Sequence, residues 1–140
     1  MNTLLVLEDE PLVMTLLRHM LTQYNIVEAT SAEQAIQLFH ERYREIDLLL
    51  ADLTLPRSSG VQVALTLRSE IPDLPVILTS GYPVGGWNER DAADLKRLGS
   101  NAVIILQKPN PARRLLSAVD DLIGAGQPQK ASTARPSADG

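Results

Sequence analysis

Four short runs rich in branched aliphatic residues constrain this chain most: Leu4 to Leu7, Ile46 to Leu50, Val76 to Leu78 and Val103 to Leu106. A strand with one face in water alternates apolar with polar residues, and these runs barely alternate. They read as strands buried on both faces, which requires a parallel sheet covered by helices on each side. Asn25 to Ala29 is a fifth, weaker candidate. Helix-period segments separate the runs. Pro11 suits a first helical turn, with Leu12, Leu16, Leu17, Met20 and Leu21 as one apolar stripe. Ser31 and Gln34 form a capping box ahead of Ala35, Leu38, Phe39 and Tyr43. Ser59-Gly60 opens a third helix through Val61, Ala64, Leu65 and Leu67, which Pro72 stops. Asn88 to Leu98 is a weakly amphipathic fourth. Asn110-Pro111 reads as the N-cap and first-turn pair of a fifth, which carries Leu115, Leu116, Val119, Leu122 and Ile123. A β-α unit repeated five times implies a doubly wound parallel α/β sheet with right-handed crossovers and helices on both faces.

At 140 residues, 44% apolar and 21% charged, the chain is one domain of ordinary composition, which excludes global disorder and fibrous repeats. The folded unit is expected over 1–123. The segment 124–140 has no apolar side chain larger than Ala and reads as a disordered tail or linker. Acids outnumber bases by 17 to 13, so nucleic acid is not expected as a direct partner. The absence of cysteine excludes a disulfide framework, a thiolate nucleophile and a Cys-based metal site. No apolar run approaches the ~20 residues of a membrane helix. The N-terminus also lacks the basic start and longer apolar stretch of a secretory signal, so a cytoplasmic protein without a membrane partner is expected.

The chemistry sits where polar residues end the strand runs. Glu8 and Asp9 follow the first strand, Asp52 ends the third, Thr79 the fourth and Lys108 the fifth. Open α/β sheets bind ligands outside the carboxyl ends of their strands, where strand order reverses. The flavodoxin-like order 2-1-3-4-5, taken as the working arrangement of a (βα)5 fold, brings all four strand ends to one pocket. Three carboxylates there repel one another and require a cation. With oxygen ligands alone, Mg2+ is the natural choice, and it leaves positions open for phosphoryl oxygens. Lys108 adds a fixed charge, Thr79 a hydroxyl, and Asp52 a carboxylate nucleophile. Together they describe phosphoryl transfer onto Asp52. His19 and His40 lie on helices without a matching Ser, Cys or His and read as partly exposed helix residues.

On these residues the sequence resembles the receiver domains of two-component response regulators, over roughly Asn2 to Ile123. The matching pieces are LLVLEDEP at Leu4 to Pro11, LLLADLTLPRSSG at Leu48 to Gly60, PVILTSGYP at Pro75 to Pro83 and LQKP at Leu106 to Pro109. The resemblance implies that Asp52 accepts a phosphoryl group from a histidine kinase or histidine phosphotransfer protein. Asp9 would bind Mg2+ directly, Glu8 mostly through water, and Thr54 through its backbone carbonyl. Thr79 would hold the phosphoryl group and switch position, Lys108 would pair with the phosphorylated Asp52, and Lys108-Pro109 would be cis. Such a protein phosphorylates and dephosphorylates only itself, turns over no external substrate, and controls a downstream protein partner. LTSGY and LQKP look most like receivers of hybrid sensor kinases. Two features depart from the family. Ile105 stands where an aromatic is usual, and the stretch from Ser80 to Ala102 is long, with Gly85-Gly86 before Trp87. Ile105 and Trp87 therefore mark a modified switch or partner surface, with Trp87 equally readable as a loop anchor. Pairing into a homodimer stays open. The alternative readings are a degenerate receiver serving as a phosphorylation-independent interaction module, or a receiver fragment of a hybrid histidine kinase.

Overall fold

The computed structural model describes residues 1–124; the rest of the expected tail, 125–140, lies outside the described residues. Five strands, β1 (Thr3–Leu7), β2 (Asn25–Ala29), β3 (Ile46–Asp52), β4 (Val76–Ser80) and β5 (Val103–Gln107), alternate with five helices. The helices are α1 (Pro11–Met20), α2 (Ala32–Arg42), α3 (Gly60–Arg68), α4 (Glu89–Leu98) and α5 (Ala112–Ile123). A single 3-10 turn, Val84–Gly86, precedes α4. All strand pairs are parallel, in the order β2-β1-β3-β4-β5, as the (βα)5 reading expects.

The sheet separates two apolar cores. Because successive strand residues point to opposite faces, Leu5 and Leu7 of β1 pack with Ala35, Phe39, Val61 and Leu67 on the side of α2, α3 and α4. Leu4 and Val6 pack with Met14, Leu115 and Val119 on the side of α1 and α5. Every residue of β1 and β4 is buried, which accounts for the unbroken apolar runs.

Helix ends follow the sequence signals with one exception. The Ser31 hydroxyl accepts the Gln34 N–H at 3.1 Å, and the Gln34 side chain reaches back to the Thr30 N–H at 2.7 Å. Asn88 caps α4 by accepting the Asp91 N–H at 2.7 Å. At α5, however, Pro111 rather than Asn110 is the capping residue, with extended backbone angles and no side-chain cap. The N1 role of proline thus falls to Pro11 alone. The α1 stripe also needs correction. Met14, outside the stripe, is the buried residue of α1, and Leu21 of the stripe is buried just past the helix end, whereas Leu12 and Leu16 are 85% and 53% exposed. The helix turns one edge of that stripe to solvent.

Gly60 fixes how closely α3 approaches β3. A Cβ at this position would stand 2.4 Å from the Asp52 carbonyl oxygen and 3.1 Å from the Ala51 Cβ. The Gly60 N–H also donates to the Leu53 carbonyl at 2.9 Å, which closes the loop after β3. Gly60→Ala should therefore push α3 away from the end of β3. A loss of about 2 kcal/mol or more in urea unfolding is expected, in the range of overpacked cores; an unchanged midpoint would contradict this close approach.

Candidate functional site

Parallel pairing brings the carboxyl ends of four strands to one edge of the sheet. Register sets Leu7 beside Ala51, Asp52 beside Thr79, and Ser80 beside Gln107. Residues that end or directly follow these strands must meet there. Glu8, Asp9 and Asp52 each place a carboxylate oxygen within 4.8 Å of the others. Lys108 Nζ lies 3.3 Å from Asp52 Oδ2 and 3.6 Å from Glu8 Oε1. Its position is set by the backbone, because the Lys108 N–H donates to the Ser80 carbonyl at 2.7 Å. The Lys108-Pro109 bond is cis, as the resemblance to receiver domains implies.

Glu8 and Asp52 are buried, and Asp9 is half-exposed. The second oxygen of each buried acid has a backbone donor. Glu8 Oε2 accepts the Glu10 N–H at 3.2 Å, and Asp52 Oδ1 accepts the Thr54 N–H at 3.4 Å. Burial is still the largest influence on both. Loss of solvent raises the pKa of Glu8 and of Asp52, and Lys108 only partly opposes it. Thr79 is buried beside Asp52, and its carbonyl accepts the Leu53 N–H at 2.8 Å. Ser80 escaped the sequence reading. Its hydroxyl donates to the Tyr82 carbonyl at 2.6 Å, and its own carbonyl anchors Lys108.

This donor set suits a hard cation. Its ligands are all oxygen, two of them buried and negatively charged. Their oxygens all lie within 4.8 Å of one another, and an octahedral ion with ~2.1 Å bonds would draw neighbouring ligands to about 3 Å. Glu8, Asp9 and Asp52 could hold Mg2+ by closing around it. Thr54 meets Asp52 through its amide. The side chains of Glu8, Asp52, Thr79 and Lys108 also border an apolar cavity of about 210 Å³ lined by Val13, Leu16, Leu17 and Met20 of α1.

The two departures from the usual pattern lie away from this cluster. Ile105 is half-buried on the edge strand β5. Trp87 is only 7% exposed and packs into the core beneath α2, α3 and α4. Its ring is an anchor and not part of an open partner surface. Trp87 Nε1 is buried without an acceptor among the described residues.

The chain is thus a parallel (βα)5 domain that gathers an acidic cluster, a threonine and a lysine at the carboxyl ends of its strands. The chain matches the response regulator receiver domain model over residues 4–120, and it belongs to that family. Among curated relatives, it is 29% identical over 123 residues to the sensor kinase CckA of Brucella abortus, covering 86% of this chain and 12% of the kinase. It is 28% identical over 127 residues to the polar-differentiation response regulator DivK of Brucella ovis, covering 88% of this chain and 97% of DivK. The share of a relative's length that the chain spans thus runs from about an eighth to nearly all. The receiver domain of a histidine kinase from Syntrophus aciditrophicus superposes with a TM-score of 0.75 at 21% identity, over 96% of this chain and 99% of that one. The CheX-CheY-BeF3-Mg+2 complex from Borrelia burgdorferi gives 0.71 at 22% identity, over 87% and 89%. At these identities the superpositions speak for the fold. The chain is a receiver domain of two-component signalling, similar to those of hybrid kinases.

The raised carboxylate pKa values set the sign of a pH effect. The folded chain binds protons at Glu8 and Asp52 more tightly than the unfolded chain does. These two groups therefore reduce stability as pH rises above the ordinary carboxylate range. In metal-free protein, Asp52→Asn should melt at a higher temperature than wild type at neutral pH, with the gap closing as pH falls into that range. Added Mg2+ should raise the wild-type melting temperature and leave that of Asp52→Asn nearly unchanged. A variant that melts lower than wild type throughout would refute the electrostatic reading.

Proposed function

We propose that Asp52 accepts a phosphoryl group from a phosphohistidine of a sensor kinase or histidine phosphotransfer protein, with Mg2+ as cofactor. The observation that carries this reading is the placement of Asp52. It is a buried carboxylate whose one oxygen faces the Lys108 ammonium at 3.3 Å, beside two further acids that suit a cation. An Asp52 oxygen attacks phosphorus, the new O–P bond forms as the donor N–P bond breaks, and the electron pair returns to the donor imidazole. Bound Mg2+, held by Asp9, Asp52 and the Thr54 carbonyl and through water by Glu8, would offset the charge on the phosphoryl oxygens. Lys108 holds Asp52 and then pairs with the transferred group. The Thr79 hydroxyl, beside Asp52 in register, donates to a phosphoryl oxygen. Attack by water on the same group returns the free carboxylate, so the domain acts on itself and turns over no external substrate.

The donor approaches over α1. Leu12 and Leu16 are exposed on that helix, and Leu16 also lines the apolar cavity bordering Asp52. A helix carrying the phosphohistidine would find apolar footing there within reach of the nucleophile. The phosphorylated form shifts a two-state equilibrium at the β4–α4 segment, Thr79 and β5, Ile105 included, which a downstream protein partner reads in the cytoplasm.

Incubation with acetyl phosphate and Mg2+ followed by intact-mass measurement tests the reading. An aspartyl phosphate adds ~80 Da. The adduct should be absent in Asp52→Ala and after chelation of the metal, and strongly reduced in Lys108→Ala. No adduct from acetyl phosphate or from a phosphorylated donor would instead favour a phosphorylation-independent interaction module.

A further inference from the structure

Helix α4 is held differently at its two ends. At the C-terminal end, Arg68 of α3 donates to four carbonyls. Nε bonds Leu74 at 2.9 Å, Nη1 bonds Leu98 at 3.4 Å, and Nη2 bonds Asn101 at 2.6 Å and Ala102 at 3.3 Å. Leu98 is the last residue of α4. Gly99 then turns the chain at φ 82, a left-handed angle that glycine adopts freely, with its N–H on the Leu95 carbonyl. One guanidinium therefore fastens the end of α4 to the entries of β4 and β5.

At the N-terminal end, a polar side-chain contact to α3 and a buried anchor stand out among the described residues. Arg90, in the first turn of α4, presents Nε and Nη2 to one end of the Gln62 side-chain amide on α3, each at 2.8 Å, and turning the amide so that its oxygen stands there lets it accept both. The Gln62 amide nitrogen, at the opposite end, then lies 3.0 Å from Ser58 Oγ. Only this amide orientation sets an acceptor against the guanidinium, which has donors alone. The anchor is Trp87, just before the Asn88 cap. Its buried Nε1 has no acceptor among the described residues, which disfavours the docked position relative to one that wets or bonds it.

Ser58 in turn belongs to the loop that follows Asp52. That loop is closed by a Thr54–Ser59 bridge, by the Leu55 N–H on the Ser58 carbonyl at 3.3 Å and by the Gly60 N–H on the Leu53 carbonyl. Its Thr54 N–H rests on Asp52 Oδ1. The loop thus moves largely as a unit, and its near end sits on the carboxylate whose charge and ligands change.

We propose that Gln62 and Arg90 form a latch through which the loop 53–59 sets the position of the N-terminal end of α4, which pivots on the end clamped by Arg68. This route from Asp52 to α4 does not pass through residue 105, where Ile105 offers no rotating ring. Its trigger rests on the phosphoacceptor reading; the latch itself does not.

The test uses the full chain with Gln62→Leu, Arg90→Gln and the double variant, each checked for native amide dispersion. In the absence of any phosphoryl analogue, amide hydrogen exchange over residues 87–94 should quicken about tenfold in each single variant, as for loss of a hydrogen bond to a charged group. Exchange at 98–103 should stay at the wild-type rate. The double variant should match the single ones, since all remove the same contact. Beryllofluoride with Mg2+ then separates trigger from latch. Wild type should show amide shift changes at both 53–59 and 87–94, whereas Gln62→Leu should keep the former and lose most of the latter. Wild-type exchange over 87–94 in Gln62→Leu, or an undiminished response there to beryllofluoride, overturns the latch. No response at 53–59 in wild type, together with no mass adduct, overturns the phosphoacceptor reading while the exchange result still decides the latch.

Discussion

Three carboxylates gathered at the end of a buried sheet, with one ammonium between two of them, set the terms for the rest of the structure. Such a cluster is unfavourable on its own, because burial penalises every charge in it. It persists because the apolar strands below it are fixed by two independent cores, so the acids cannot separate without unpairing β1 from β3. The fold thus supplies the energy that holds the site in readiness. Lys108, brought in by the backbone bond from Lys108 N–H to the Ser80 carbonyl, compensates only part of the charge. A site left partly uncompensated in this way suits a bound cation.

The balance between scaffold and site also explains where the sequence was informative. Strands β1, β3 and β4 were legible because burial on both faces demands a composition that few other environments tolerate. Their polar ends were legible for the same reason: Glu8, Asp52 and Thr79 interrupt runs in which a polar residue needs a cause. Strand order was a borrowed arrangement, since parallel runs of similar composition do not say which neighbour each will take. The pairing of β1 with both β2 and β3 is the part that only coordinates supply.

Helices were legible in extent but not in orientation. The α1 stripe predicted burial for Leu12 and Leu16, yet Met14 took the core position, Leu12 is largely exposed and Leu16 is half-exposed at the rim of the cavity. Periodicity identifies an apolar side, but a rotation about the helix axis of a few tens of degrees decides which edge of it meets the sheet. Trp87 shows the reverse. A lone aromatic after two glycines fits an exposed hot spot and an anchor equally well, and packing against the core makes it the latter. The partners of Arg68 and Arg90 were not legible at all. Arginines on helix surfaces are common, and nothing in their spacing marks the carbonyls or the amide that they reach.

The Arg68 guanidinium bonds carbonyls on both sides of the segment that runs from β4 through α4. The chain between Leu74 and Ala102 is in effect a loop whose two ends are fastened to one side chain, much as a cross-link would fasten them. A segment closed in this way tends to open and close as a cooperative unit within the native state. The segment proposed to move in signalling would then also be one of the units in which the domain assembles and comes apart.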